Sequence, residues 1–201
     1  MNLNYVSKGV INVLNIKQTD SLIQVKGSKF YYSMIAIVLL GGLVGCASLL
    51  IEGIKFSSVY SMLWLAGGFV FFPIFFYLII WCLPGFIPGK VLLSLVEGED
   101  GYVQFQKGNI PFNQIRNIAF VRNPINLIND IIIESLDGKI TKIRTYNLID
   151  ETDFAILVDQ YIFPYMREDA KKVWDRHVNL AELYDDARYE RKYIYNYKNE
   201  Q

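Results

Sequence analysis

Residues 30–51 read FYYSMIAIVLLGGLVGCASLLI, a run of 22 residues without Asp, Glu, Lys or Arg. As a helix rising about 1.5 Å per residue it reaches about 33 Å, enough to cross a hydrocarbon core of about 30 Å. Residues 56–89 are likewise uncharged, and their densest part, residues 59–83, is long enough to span with some tilt. A pair of buried core helices would each need a polar face toward water, and neither segment offers one. The expectation is a transmembrane helical hairpin, with spans at about 30–51 and 59–83.

The remainder of the 201-residue chain is mostly polar, and the net charge is zero. That balance provides no field for a nucleic acid, so none is expected as a partner. Length allows one domain beside the membrane hairpin. Both cysteines fall in the spans, Cys46 toward the far end of the first and Cys82 at the exit of the second. In an antiparallel hairpin they lie at opposite faces, too far apart to bridge, and neither has the His or Cys neighbours of a metal site. They read as small apolar side chains. Leu43-Val44-Gly45-Cys46 also matches a bacterial lipoprotein cleavage box. However, 29 mostly polar residues precede the apolar run, and a second span follows it. Both facts weigh against a cleaved signal peptide.

Lys8, Lys17, Lys26 and Lys29 stand against Asp20 before the first span, while the connection between the spans holds Glu52 and Lys55. The positive-inside rule then places the N-terminus in the cytoplasm, and two crossings return the C-terminus there. The expected location is the cell membrane, multi-pass. Phe30, Tyr31, Tyr32, Tyr60, Trp64 and Trp81 mark the interfaces, where amphipathic rings collect. Gly41 and Gly45 in the first span, and Gly67 and Gly68 in the second, are candidate helix-packing positions. They can serve the hairpin itself, a second copy in a homo-oligomer, or another membrane protein. Pro73 is expected to kink the second helix, and Pro84 and Pro88 to end it.

Before the spans, residues 10–16 and 22–26 alternate as short strands around a polar turn at 17–21. This pair is too short to stand alone and should join the sheet that follows. After the spans, residues 91–96, 102–106, 115–121, 130–136 and 139–146 read as strands. Asp137-Gly138 forms a two-residue type I′ turn between the last two. Asp150 can cap a helix carrying Phe154, Leu157, Val158, Tyr161 and Ile162, which Pro164 interrupts. Met166, Ala170, Val173, His177, Leu180, Tyr184 and Ala187 then continue at intervals of four and three, predicting one long helix over about 165–191 with His177 in its packed seam. The organisation read is an N-terminal strand pair (1–29), the transmembrane hairpin (30–89), a β domain with its capping helix (90–164), and an amphipathic helix and tail (165–201).

This order of two spans, strand, acidic turn, Gly101-Tyr102-Val103-Gln104-Phe105, Ile110-Pro111-Phe112-Asn113-Gln114-Ile115-Arg116-Asn117-Ile118, an Asp-Gly-Lys turn and a capped helix resembles the membrane-anchored bacterial proteins that carry a pleckstrin-homology-like (PH-like) domain. The resemblance covers about residues 90–165 and implies a strongly bent antiparallel sheet capped by a C-terminal helix. The fold class expected is therefore an α+β membrane protein: a two-helix hairpin plus a PH-like sheet, with an additional long C-terminal helix.

No HExxH, CxxC, GxSxG or P-loop is present. The acidic groups Glu97, Glu99, Asp100 and Asp150, Glu151, Asp153 fall in a turn and at a helix start, where solvation and the helix dipole explain them; a cation site would need several converging oxygens. The spans carry none of the ionisable groups of a relay or pathway. The C-terminal Arg188, Arg191, Lys192, Tyr193, Tyr195 and Tyr197 interleave cations and rings, a mixture suited to anionic headgroups or to stacking on single-stranded nucleic acid. A fraying helix end is the simplest reading of it. The function expected is a non-enzymatic membrane-anchored binding or scaffold module, without cofactor or metal, that presents its PH-like domain to a protein or lipid. The alternatives are an accessory or protective subunit of a larger membrane complex, and a membrane-surface enzyme.

Overall fold

The computed structural model describes residues 15–19 and 21–191. Along them run β1 (Asn15–Thr19), β2 (Leu22–Lys26), α1 (Lys29–Ile54), α2 (Ser61–Cys82), β3 (Val91–Val96), β4 (Tyr102–Phe105), β5 (Gly108–Pro111), β6 (Ile115–Arg122), β7 (Asn129–Ser135), β8 (Ile140–Arg144), α3 (Glu151–Leu157), α4 (Glu168–His177) and α5 (Leu180–Ala187). The architecture is mixed α+β. One antiparallel sheet has the order β1-β2-β3-β4-β5 and the other β6-β7-β8.

The two long apolar helices are inserted within the first sheet. Strands β2 and β3 flank them in sequence yet pair side by side, Ile23 opposite Leu95 and Val25 opposite Leu93. Alternation in β2 turns Ile23 and Val25 fully inward, while Leu22, Gln24 and Lys26 stay partly exposed. These side chains join Leu95, Val103, Phe112, Ile115, Ile131, Ile133, Phe154, Leu157, Phe163 and Trp174 in one core between the sheets and the C-terminal helices. Burial of such side chains contributes about 1.5–3 kcal/mol each relative to exposure.

The first turn of α1 belongs to this domain as much as to its own helix. Tyr31, Tyr32 and Ile35 pack on the core, the Ser28 amide donates to the Leu148 carbonyl at 3.0 Å, and the Tyr32 hydroxyl donates to the Gly85 carbonyl at 2.9 Å. Beyond that turn the helices are bare. Only 11% and 6% of their most apolar windows are buried, and both helices are long and apolar enough to cross a membrane.

Several elements differ from the sequence expectation. β1 runs to Thr19, which faces Leu22, so Lys17 to Thr19 are strand rather than turn; their polar side chains are exposed, as an edge strand permits. Residues 10–14 lie outside the described residues. β5 forms a tight hairpin with β4, Phe105 opposite Gly108, and tolerates Pro111 because it is the sheet edge. The β7–β8 turn is a three-residue loop rather than a two-residue one: the Ser135 amide donates to the Lys139 carbonyl at 3.0 Å. Positive φ is needed at Gly138 (+78°) and not at Asp137, as in a type I turn followed by a left-handed residue. The single long C-terminal helix is two helices. Val178 is extended, and the Asn179 side chain caps α5 by accepting the Glu182 amide. An asparagine three residues before a glutamate makes that start, against the continuous seam.

Candidate functional site

β6 is an edge strand: β7 pairs with one side of it, and no strand pairs with the other among the described residues. Together with β6, helices α3, α4 and α5 line a groove of about 370 Å³. Its floor is Ile118, Phe120, Phe154, Trp174 and Leu183, and its rim carries Asn117, Glu151, His177, Asn179 and Glu182. The Phe120 and Phe154 rings stack at 5.1 Å, and Trp174 meets Phe154 edge-on at 6.0 Å. These contacts give the floor a fixed apolar shape, while the rim is polar with two carboxylates.

The break between α4 and α5 shapes the groove, because it swings Leu183 back over Ile156. His177, expected in a packed seam, is exposed at the end of α4, with Nδ1 2.8 Å from the Val173 carbonyl oxygen. The heptad pattern fails there because the chain turns one residue later.

Trp174 in the groove's floor is held from behind by Asp159, which is 1% exposed. Its Oδ1 accepts from Trp174 Nε1 at 3.0 Å and from Arg191 Nη2. Its Oδ2 accepts from the Tyr189 hydroxyl and from Arg191 Nε, both at 2.9 Å. Arg191 also reaches Asp175 Oδ1 at 2.6 Å and lies over the Phe163 ring at 4.2 Å. Burial, and then the Asp159 charge, push the Tyr189 hydroxyl pKa up, so it remains a donor. The sequence gives no hint of this cluster; Asp159 lies on a widened helical turn, Val158–Ile162.

Other positions singled out from sequence are scattered. Arg191 is turned inward, its side chain 10% exposed against Asp159 and Asp175. Arg188 is exposed over the Tyr184 ring at 5.3 Å, in the left-handed conformation that ends α5. Lys192, Tyr193, Tyr195 and Tyr197 lie outside the described residues. Among the glycines, a Cβ at Gly68 would meet Leu50 at 2.6 Å and one at Gly53 would meet Leu65 at 2.7 Å, while one at Gly42 would collide with Phe75. A Cβ at Gly41 or Gly45 would meet nothing, and one at Gly67 only Leu49 at 3.9 Å. The α1–α2 approach therefore uses Gly42, Gly53 and Gly68, one face round from Gly41 and Gly45. Glu97 follows the end of β3 and Asp150 precedes α3, which it caps as expected, accepting the Asp153 amide at 2.6 Å.

Sheets, closing helices and inserted apolar pair define an α+β protein with a groove along an open strand edge. The chain belongs to the family of unknown function DUF5381, whose model matches residues 21–184, from the start of β2 into α5. It is similar to the "Uncharacterized lipoprotein YfjD" of Bacillus subtilis (strain 168), 32% identical over 78% of this chain and 88% of the relative. It is also similar to the "Uncharacterized protein YfjE" of the same organism, 30% identical over 61% of this chain and 84% of the relative. No solved structure matches.

Proposed function

We propose that the protein is a multi-pass membrane module, without enzymatic activity, that uses a PH-like domain to hold an extended segment of a partner protein. The observation that carries this reading is the groove beside the free edge of β6. An unpaired strand edge offers main-chain donors and acceptors to an added strand, while the apolar floor takes alternate side chains. The acidic rim at Glu151 and Glu182 favours a segment carrying basic residues.

The bare α1–α2 pair supports the membrane part: apolar side chains such as Ile37, Phe69 and Leu63, all more than half exposed, match a bilayer and not water. Two antiparallel sheets closed by a helix after the last strand support the PH-like part. The positive-inside asymmetry orients both termini to the cytoplasm. A relative bears the word lipoprotein in its name; here, cleavage before Cys46 would sever α1 and remove β2 from its place against β3, so this chain is read as uncleaved and anchored by its hairpin.

The test is a photo-cross-linking residue placed singly at Asn117, at Glu182 and, as control, at Lys139 in native membranes. One adduct common to the two groove positions, absent at Lys139 and lost when Ala155→Trp fills the groove, is the expected result. No groove-specific adduct would remove the reading. Cysteines at Ser57 or Ser58 should react with an impermeant thiol reagent from outside intact cells, and reaction at Asp137 instead would invert the orientation.

The open Gly41–Gly45 face favours a second reading, an accessory subunit docked by its hairpin on a larger membrane complex. A stoichiometric membrane partner retained in mild detergent and lost on Gly45→Leu would support it.

A further inference from the structure

A second opening lies where the start of β3, the β4–β5 turn and the end of β8 meet. Lys90, Lys107, Lys142 and Arg144 line it with Phe105 and Tyr146, and no Asp or Glu is among its lining residues. Its volume is about 70 Å³, and it opens to solvent. Its lining offers cations to a small anionic group.

The cations are unequal. Lys142 Nζ meets the buried Asp130 Oδ2 at 2.7 Å, which neutralises one charge. Lys90, Lys107 and Arg144 enter no ion pair among the described residues. Lys90 Nζ donates to the Pro84 carbonyl at 2.6 Å and sits 4.1 Å from the Tyr146 ring. The Arg144 guanidinium lies 4.6 Å from the Trp81 ring, in the last turn of α2. Two of the three unpaired cations are thus fixed at the end of an apolar helix.

The same end of the domain carries the β6–β7 loop. Ile128 is fully buried with Leu39 and Cys82 of the helix pair, whereas Ile125 is 76% and Leu127 43% exposed. Asn147 fixes the loop, its amide nitrogen donating to the Leu127 carbonyl and its oxygen accepting the Asn129 amide. Exposed apolar side chains beside the helices, then a cluster of cations, repeat the order of a bilayer edge: hydrocarbon, then phosphate.

We infer that this cleft binds the phosphate of an anionic phospholipid headgroup in the leaflet where α2 emerges, with Lys107 and Arg144 as the principal donors and Lys90 behind them. The inference rests on the reading of α1 and α2 as membrane spans. A lipid anchors itself by its chains, so a cationic site that touches only its phosphate can still select headgroup charge.

The full chain is reconstituted in vesicles of phosphatidylcholine, or of equal parts phosphatidylglycerol and phosphatidylcholine, and then exchanged into detergent for native mass spectrometry of retained lipid. The parent should retain phosphatidylglycerol over phosphatidylcholine. The double variant Lys107→Gln/Arg144→Gln should lose that preference by roughly tenfold, given a few-fold for each surface cation. Lys139→Gln, at the opposite end of β8, should keep it. Inorganic phosphate in excess should leave retention unchanged; competition by it would make this a site for free phosphate and overturn the lipid assignment. Equal retention of both lipids by the parent, or loss of preference in Lys139→Gln as much as in the double variant, would also overturn it. Failure of the parent to enter vesicles would instead remove the membrane reading and this inference with it.

Discussion

Tyr31, in the first turn of α1, donates its hydroxyl to Asp150 Oδ2 at 2.6 Å across 119 positions of sequence. The other oxygen of the same carboxylate caps α3. One side chain therefore ties the base of the apolar helix to the helix that closes the core. Tyr31→Phe should cost about 1.5–3 kcal/mol, the range for a hydrogen bond to a charged group. Asp150→Ala should cost about 1 kcal/mol more, because the cap goes too. Thermal unfolding in detergent measures both, and equal melting of Tyr31→Phe and parent would dismiss the tie.

Asp153, 5% exposed, has no hydrogen-bond partner at Oδ2. Burial, and then the neighbouring Asp150 charge, push its carboxyl from 3.8 up to about 7. The folded state thus holds a proton that the unfolded chain releases. Its contribution is full below about pH 4 and falls as pH rises toward about 7. Asp153→Asn should flatten this part of the stability profile, read by denaturant midpoints across that window. A parent profile already flat there would contradict the argument.

The buried Asp159–Arg191 pair predicts a large, non-additive effect. Arg191→Ala strands the Asp159 charge and should cost about 3–5 kcal/mol, whereas Asp159→Ala leaves Arg191 its Asp175 partner and should cost less. The double variant should cost much less than the sum. A double-mutant cycle giving additive losses would mean that the pair does not act as a unit.

Gly138 has room for a Cβ, which would meet nothing within 4 Å, so Gly138→Val tests backbone strain alone. The cost should be about 1–3 kcal/mol. Limited proteolysis of membranes should then cut the region after Lys90 while a fragment containing α1 and α2 survives. Protease resistance equal to the parent's would argue against the left-handed turn.

The cleavage box makes a sharp alternative. Cys46 is 4% exposed within the second half of α1, and a chain cut there loses β1 and β2. Intact-mass measurement should find residues 1–45 still attached in the membrane form, and Cys46→Ser should change only the mass of one side chain. A lipid-modified product beginning at Cys46 would refute the two-span reading.

Much of the fold was legible from the sequence. The β2 and β3 limits, the two apolar helices and the Asp150 cap are local signals: short apolar, β-prone runs, uncharged length, a carboxylate ahead of an apolar period. What escaped depends on contacts distant in sequence. The β4–β5 hairpin was masked by a proline that only an edge position tolerates. Arg191 looked free beside its aromatic neighbours because Asp159, 32 positions away, is its partner only in three dimensions. The helix break at Asn179 was locally signalled, but the apolar period running through it outweighed the cap. For the glycines, spacing identified small-residue faces but not which of them meets the other helix. The groove was invisible, since its rim comes from four elements.

The placement of the helix pair between two neighbouring strands has one more consequence. On the proposed reading of α1 and α2 as spans, β2 is made before the first and β3 after the second, so they can zip together only if both ends of the hairpin emerge on the same side. The sheet is then a parity check on insertion. A chain with one segment left out of the bilayer would strand β2 and β3 on opposite faces, leave Ile23 and Val25 without Leu95 and Leu93, and present quality-control proteases with an unfinished domain.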